Sequence, residues 1–200
     1  MAEFTGPCVY FEKPGRHNTE RVVEVVRQRL ERGDIGTVVV ASTTGYTARC
    51  FADALQGRAG VRLISVAEGA LIREWGTDYP SLKPETKRDL EARGVVVADH
   101  VSYLLHNSLF DYSQWKVPTP EQIVTETLYA FGQGFKVAIE VVLIAVANGL
   151  LEPFQDVIGV GGSSRGADTA AVMRATYPNH FFSQDAAKRF RVREVLCKPW

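Results

Sequence analysis

Between residues 38 and 49 the chain runs Val-Val-Val-Ala-Ser-Thr-Thr-Gly-Tyr-Thr-Ala-Arg. A β-branched apolar run closed by turn residues is the pattern of a parallel strand buried on both faces. The residues after it are small, hydroxylated and broken by one glycine. A helix then starts near Tyr46 and continues through Ala48, Phe51, Ala52 and Leu55. A strand feeding a helix through a short turn requires layers of helix on a sheet. The turn falls at the strand's carboxyl end, where open α/β sheets bind ligands. The unpaired N–H groups of the following helix suit an anion there. Ser42, Thr43, Thr44 and Thr47 add four hydroxyl donors, and Gly45 permits close approach of the backbone. Two readings are open: a phosphate cradle that includes Tyr46, or an ordinary strand–helix turn with a hydroxyl cap.

The same alternation recurs along the chain. Residues 8–12 read as a first strand and residues 13–19 as a loop. Asn18 or Thr19 caps a helix that buries Val22, Val23, Val25, Val26 and Leu30. Residues 37–41 and 61–66 are the second and third strands. Residues 67–84 are irregular and read as a loop laid over the ligand crevice. Pro84 opens a charged helix that ends at Gly94, and residues 95–98 form a fourth strand. Residues 99–115 are again irregular. Thr119, Pro120 and Gln122 mark the start of a further helix.

Residues 136–148 are ambiguous by composition, since β-branched residues favour a strand. Lys136, Glu140 and Asn148 nevertheless fall on one stripe at multiples of four, and Gly149 stops the run. The length and this spacing predict a mostly buried helix. Residues 157–160, 167–175 and 192–197 finish the sheet. The result is a single domain over residues 1–200, a three-layer α/β/α sandwich. The short turn between the late strands makes at least one of them antiparallel.

Lys plus Arg and Asp plus Glu both number 23, so the net charge is zero. That gives no support for a nucleic-acid partner or an anionic membrane. It also leaves no charge to oppose self-association, so a homo-oligomer stays open. The most apolar stretch, residues 137–147, carries Glu140 and is far shorter than the roughly 20 residues of a membrane span. The opening residues lack the pattern of a signal peptide. Cys8, Cys50 and Cys197 form no Cys-x-x-Cys pair, and their odd count argues for reduced thiols in the cytoplasm. His17, His100, His106 and His180 have no metal-ligand spacing, so no metal site is expected and each histidine is read as surface or core-edge.

A second glycine-rich turn, Gly161-Gly162-Ser163-Ser164-Arg165-Gly166, has P-loop glycine spacing. Ala167 and Asp168 stand where that motif needs lysine and a hydroxyl, so P-loop nucleotide hydrolysis is unsupported. Backbone N–H groups and Arg165 remain suited to an anion, with a plain flexible turn as the alternative. Lys13, Arg16, Asn18 and Thr19 follow the first strand. They border the crevice at residues 42–47 if that strand neighbours the second. Glu140, in an apolar helix, needs a partner, for which Lys136 is in reach, or a ligand hydroxyl. Tyr46, Trp75, Tyr79, Tyr103 and Trp115 fall mostly on loops and can stack on a planar ring or simply pack. Spacing assigns no catalytic set; Glu140, His100 and Asp168 are the candidate acids and bases, with Asp168 read alternatively as a brace for the glycine-rich turn it follows.

Residues 38–49 resemble the Thr-x-x-Gly-x-[Ser/Thr]-Ala loop of the pyruvate kinase C-terminal domain, which holds the phosphate of an allosteric sugar phosphate. Nearly the whole chain resembles a family of small stand-alone proteins related to that domain. The match runs through residues 10–19, residues 136–149 with Glu140, residues 160–169, and residues 179–182, in the same order. The resemblance implies a mostly parallel mixed sheet with an antiparallel edge strand. It implies no pyruvate kinase activity, because the catalytic barrel has no counterpart in these residues. It implies a phosphate-bearing small-molecule ligand, with flavin mononucleotide (FMN) as the candidate. On that reading Lys13, Arg16, Asn18, Thr19, residues 42–47 and residues 161–165 are the binding residues. Residues 103–115 look like an elaboration on the family's usual chain.

Overall fold

The structure, a computed structural model, describes residues 5–106 and 108–200. The first four residues, part of the stretch read as lacking a signal peptide, lie outside that description. So does residue 107, within the second irregular segment.

The described residues form seven strands and five α-helices. In order they are β1 (Val9–Phe11), α1 (Thr19–Leu30), β2 (Thr37–Ala41), α2 (Tyr46–Leu55), β3 (Arg62–Val66), α3 (Pro84–Ala92), β4 (Val96–Ala98), α4 (Pro120–Tyr129), α5 (Gln133–Ala147), β5 (Asp156–Gly161), β6 (Thr169–Arg174) and β7 (Arg191–Pro199). The strands form one sheet in the order β1-β7-β6-β5-β2-β3-β4. All neighbours pair in parallel except β5 with β6 and β6 with β7.

The valine run of β2 divides its side chains between two cores, as a period of two demands. Val38 and Val40 join Val22 and Val26 of α1, Phe51 of α2 and Leu90 of α3 on one face. Val39 points to the other, with Ile139, Val142 and Val146 of α5 and Ile64 of β3. Helices therefore cover both faces, and the three-layer sandwich stands. Twelve of the fifteen residues of α5 are buried, so its sequence is apolar almost all round. Residues 136–147 are accordingly helix, with Asn148 as its C-cap, and the strand-like composition reflects burial.

The antiparallel strand is not at an edge. It is β6, third in the order, flanked by β5 and β7. The turn after β5 folds the chain straight back, and the nine-residue β7 then accepts β1 along its outer side. The edges are the three-residue strands β1 and β4, short enough to limit strand-to-strand association.

The chain leaves β2 toward β3 and β4, and leaves β5 the other way, toward β6 and β7. The carboxyl ends of β2 and β5 lie side by side, with Val40 opposite Val160. That makes them the topological switch point of the sheet. α5 sits directly on this point: a Cβ at Gly161 would collide with the Gly134 carbonyl and the Ala138 nitrogen. No helix among the described residues is long and apolar enough to cross a membrane.

Candidate functional site

Three structures meet at the switch point. The first is the turn after β2. The Ser42 N–H donates to Val66 O (2.9 Å), which holds the turn to β3. The Ser42 hydroxyl accepts from the Ala48 N–H (3.1 Å), capping α2 from within the turn. Gly45 has φ +87° and lies against Thr86 of α3 so closely that a Cβ would collide with it. Left-handed backbone in a tight space is a position for glycine alone. The backbone N–H groups of Thr43, Thr44, Gly45, Tyr46 and Thr47 have no acceptor among the described residues. Thr44 is exposed and Thr47 buried.

The second is a pair of loops stitched together by buried polar groups. Asp168, with no exposed surface, accepts from the Gly15 N–H (2.9 Å), the Ser163 N–H (3.0 Å) and the Thr169 hydroxyl (2.9 Å). The Thr19 hydroxyl donates to Arg16 O (2.7 Å) and accepts from the Ala167 N–H (3.0 Å). The Asn18 amide donates to Lys13 O (2.8 Å). These side chains hold the loops in shape, and Asp168 is a brace. Arg16 lies 3.8 Å over the Tyr46 ring, within cation–π range.

The loop after β1 therefore reaches α2, but by a different route from the one the sequence offered. β1 does not neighbour β2; three strands separate them. The glycine-rich turn bridges the gap, with Gly166 packed on Thr19 and Arg16. Lys13, Arg16, Ser164 and Arg165 are exposed, Gly162 and Ser163 half-buried, and Gly161 is buried.

The third is a cleft of about 1200 Å³ on the α5 side of the same sheet end. Ala41 and Val66, the last residues of β2 and β3, form part of its wall. Residues 70–75 contribute Trp75, so the first irregular segment does border the cleft. Tyr103 and His106 come from the second, and Tyr129, Lys136 and Glu140 from α4 and α5. The Trp75 ring centre lies 5.3 Å from that of Tyr103 and 5.9 Å from that of His106.

Charge in this cleft is organised in two linked groups. Glu68 accepts the Thr43 hydroxyl (2.6 Å) and the Tyr103 hydroxyl, joining the turn after β2 to the cleft wall. Glu140 pairs with Lys136 one helical turn away, and its other oxygen accepts from the Leu104 and Leu105 N–H groups (3.1 and 2.9 Å). Lys136 is 2 % and Glu140 4 % exposed. Burial holds the Lys136 ammonium below the usual lysine range, against the opposing pull of Glu140. Burial, and then the charge of Lys136, pushes His106 below the usual imidazole value. Tyr103 is pushed up by burial and then by its bond to Glu68. His106 Nε2 and the Tyr129 hydroxyl are 3.1 Å apart.

Of the three candidate acids and bases, Glu140 lines the cleft and Asp168 is a brace. His100 has a side chain 79 % exposed beside Asp99, outside the cleft wall. Among the five loop aromatics, Trp75 and Tyr103 line the cleft and Tyr46 lies under Arg16. Tyr79 contacts Arg73 and His100, and Trp115 packs on Phe110. Glu68, His106 and Tyr129 were not singled out by sequence as site residues. The i, i+4 spacing of Lys136 and Glu140 is the one local signal that reaches the cleft floor. Among the described residues no group of three or more His, Cys, Asp or Glu side chains is placed to hold a metal ion.

No family model matches the chain. The solved structures similar to it include two pyruvate kinases. One is Cryptosporidium parvum pyruvate kinase in complex with ADP, at 18 % identity and TM-score 0.39, covering 82 % of this chain. The other is a second structure of a pyruvate kinase from Cryptosporidium parvum, at 17 % identity and TM-score 0.38, covering 78 %. The chain spans 25 % and 22 % of the length of those two chains.

Proposed function

We propose that this protein binds a small phosphate-bearing ligand at the switch point between β2 and β5. One observation carries the reading: five consecutive backbone N–H groups, Thr43 to Thr47, lack an acceptor among the described residues and open a helix. Such a run is a concavity suited to a phosphate. Arg16, resting on Tyr46, supplies a cation at its rim, and Arg165 lies exposed on the adjoining turn. Thr44 and Thr47 are the hydroxyls left for the ligand. Ser42, Thr43, Asn18 and Thr19 serve it indirectly by shaping the loops. The body of the ligand extends into the cleft, where Trp75 and Tyr103 offer ring faces. FMN is the first ligand to test, and sugar phosphates the second. The protein acts as a cytoplasmic carrier or sensor of that ligand, its three thiols unpaired.

The test is an absorbance spectrum from about 300 to 550 nm of protein purified without added cofactor, then titration with FMN and with sugar phosphates. Substitution of Gly45 reports on the packing of α2 against α3 as much as on binding. Thr44 is exposed, so Thr44→Asp adds a carboxylate at the cradle with little cost to the fold. It should weaken phospholigand binding at least tenfold, about 1.4 kcal/mol. Unchanged affinity in that variant, for every phosphorylated compound that binds, would remove the cradle.

A further inference from the structure

The cleft floor holds one cation with more donors than acceptors. An ammonium has three N–H donors. Among the described residues only Glu140 accepts from Lys136, although Lys136 is almost fully buried. A buried donor left unmatched is costly, and the open side of this one is the cleft. Glu140 has no such deficit, since two backbone N–H groups take its second oxygen.

The local charge selects what comes to Lys136. Glu68 and Glu140 together outweigh one ammonium, so an anionic headgroup is repelled at this point while a neutral acceptor is not. A carbonyl oxygen is the neutral acceptor that also offers an electrophilic carbon. A desolvated lysine is the kind that attacks such carbons. Residues 43–47 adjoin the same cleft, because Thr43 donates to Glu68 on its wall.

We propose that Lys136 forms an imine with the aldehyde or ketone carbon of a small phosphorylated carbonyl compound, whose phosphate sits at residues 43–47. The phosphate end rests on the function proposed above; the imine rests on the cleft. Glu140 takes a proton from the Lys136 ammonium. The Nζ lone pair forms a bond to the carbonyl carbon as the C=O π pair moves to oxygen. That oxygen gains a proton from the attacking nitrogen, giving a carbinolamine. Glu140 returns its proton to the carbinolamine hydroxyl, the C–O bond breaks, and water leaves as the C=N bond forms. The product is a protonated imine, so the positive charge beside Glu140 is kept, and no oxidant or reductant is consumed.

The protein is incubated at pH 7 with glyceraldehyde 3-phosphate or with glyceraldehyde, each with cyanoborohydride to trap the imine, and analysed by intact mass and peptide mapping. One adduct per chain is expected, on the peptide carrying Lys136. It should form at least tenfold faster than on exposed Lys13, Lys83 or Lys188, and faster with the phosphorylated probe. Lys136→Arg keeps a cation beside Glu140 and cannot form the imine, so its adduct should disappear. Labelling spread over the exposed lysines, or unchanged in Lys136→Arg, overturns the proposal. The peptide map of the unsubstituted chain decides the matter even if that variant fails to fold. Binding of glycerol 3-phosphate without labelling of Lys136 would sink the imine and leave the phosphate reading standing. Selective labelling of Lys136 that inorganic phosphate does not slow would sustain the imine and sink the phosphate end.

Discussion

Asp168 shows how one side chain holds neighbouring loops together. Its carboxylate gathers donors from the loop after β1, the glycine-rich turn and the start of β6. Removing it leaves the half-buried Gly15 and Ser163 N–H groups and the buried Thr169 hydroxyl to find other partners. Each stranded donor costs on the order of 1 kcal/mol, and some will be rescued by water. Asp168→Ala should therefore lose about 2–3 kcal/mol of stability, read from the urea midpoint at constant slope. A midpoint equal to the parent's would mean that these donors are solvated. Because Asp168 also sets where Gly15 and Arg16 lie, Asp168→Ala should weaken phospholigand binding as well. The bracing role of Asp168 was legible from its place after a glycine-rich turn. The full engagement of Thr19 was not, because its partner, Ala167, is 148 residues away.

The elements were legible wherever their cause is local. Thr119 and Gln122 form the reciprocal capping box that their spacing announced. The valine run of β2 and the glycine stops of the helices behave likewise. Strand order was legible only where a short turn joins β5 to β6; β1 beside β7 is a long-range pairing with no local mark. The cleft was half hidden for the same reason. Lys136 and Glu140 share a helix, whereas Glu68 and His106 come from irregular segments that carry no periodicity. What makes the cleft possible is the seat of α5 on β5. Gly161 meets the backbone of Gly134 and Ala138 with no room for a methyl group. Backbone cannot swing aside as a side chain can, so Gly161→Ala must lift the first turn of α5. Overpacking of this kind costs about 1–3 kcal/mol, and the upper end is expected here. Lys136 lies in that turn, so labelling at Lys136 should slow in the same variant. Normal stability and normal labelling together would show that α5 is not seated as described.

Taken as a whole, the molecule is a sheet with buried charge gathered beside one end, and its stability should register the state of that end. His106 is the group that links the two near neutrality. Burial lowers its pKa first, then Lys136, with Glu140, Asp111 and Glu126 opposing. In the unfolded chain a histidine takes up its proton near pH 6.5. Just below that pH the unfolded chain binds a proton that folded His106 does not. Stability then falls as pH falls, by at most about 1.4 kcal/mol per unit, until the folded pKa is passed. Asp34 acts in a different window. Arg29 lowers its pKa, so its contribution is present above the unfolded carboxylate value near pH 4 and is lost below it. The two windows can be separated by experiment. Urea midpoints at pH 7.5, 6.5 and 5.5 should decline for the parent chain. His106→Gln keeps a polar partner for the Tyr129 hydroxyl and has no proton to gain, so its decline over that range should be smaller. A phospholigand that fills the cleft and buries His106 further should steepen the parent's decline and leave that of His106→Gln unchanged. Parallel curves for the two proteins would mean that His106 is solvated in the fold and that the cleft floor does not set stability near neutral pH.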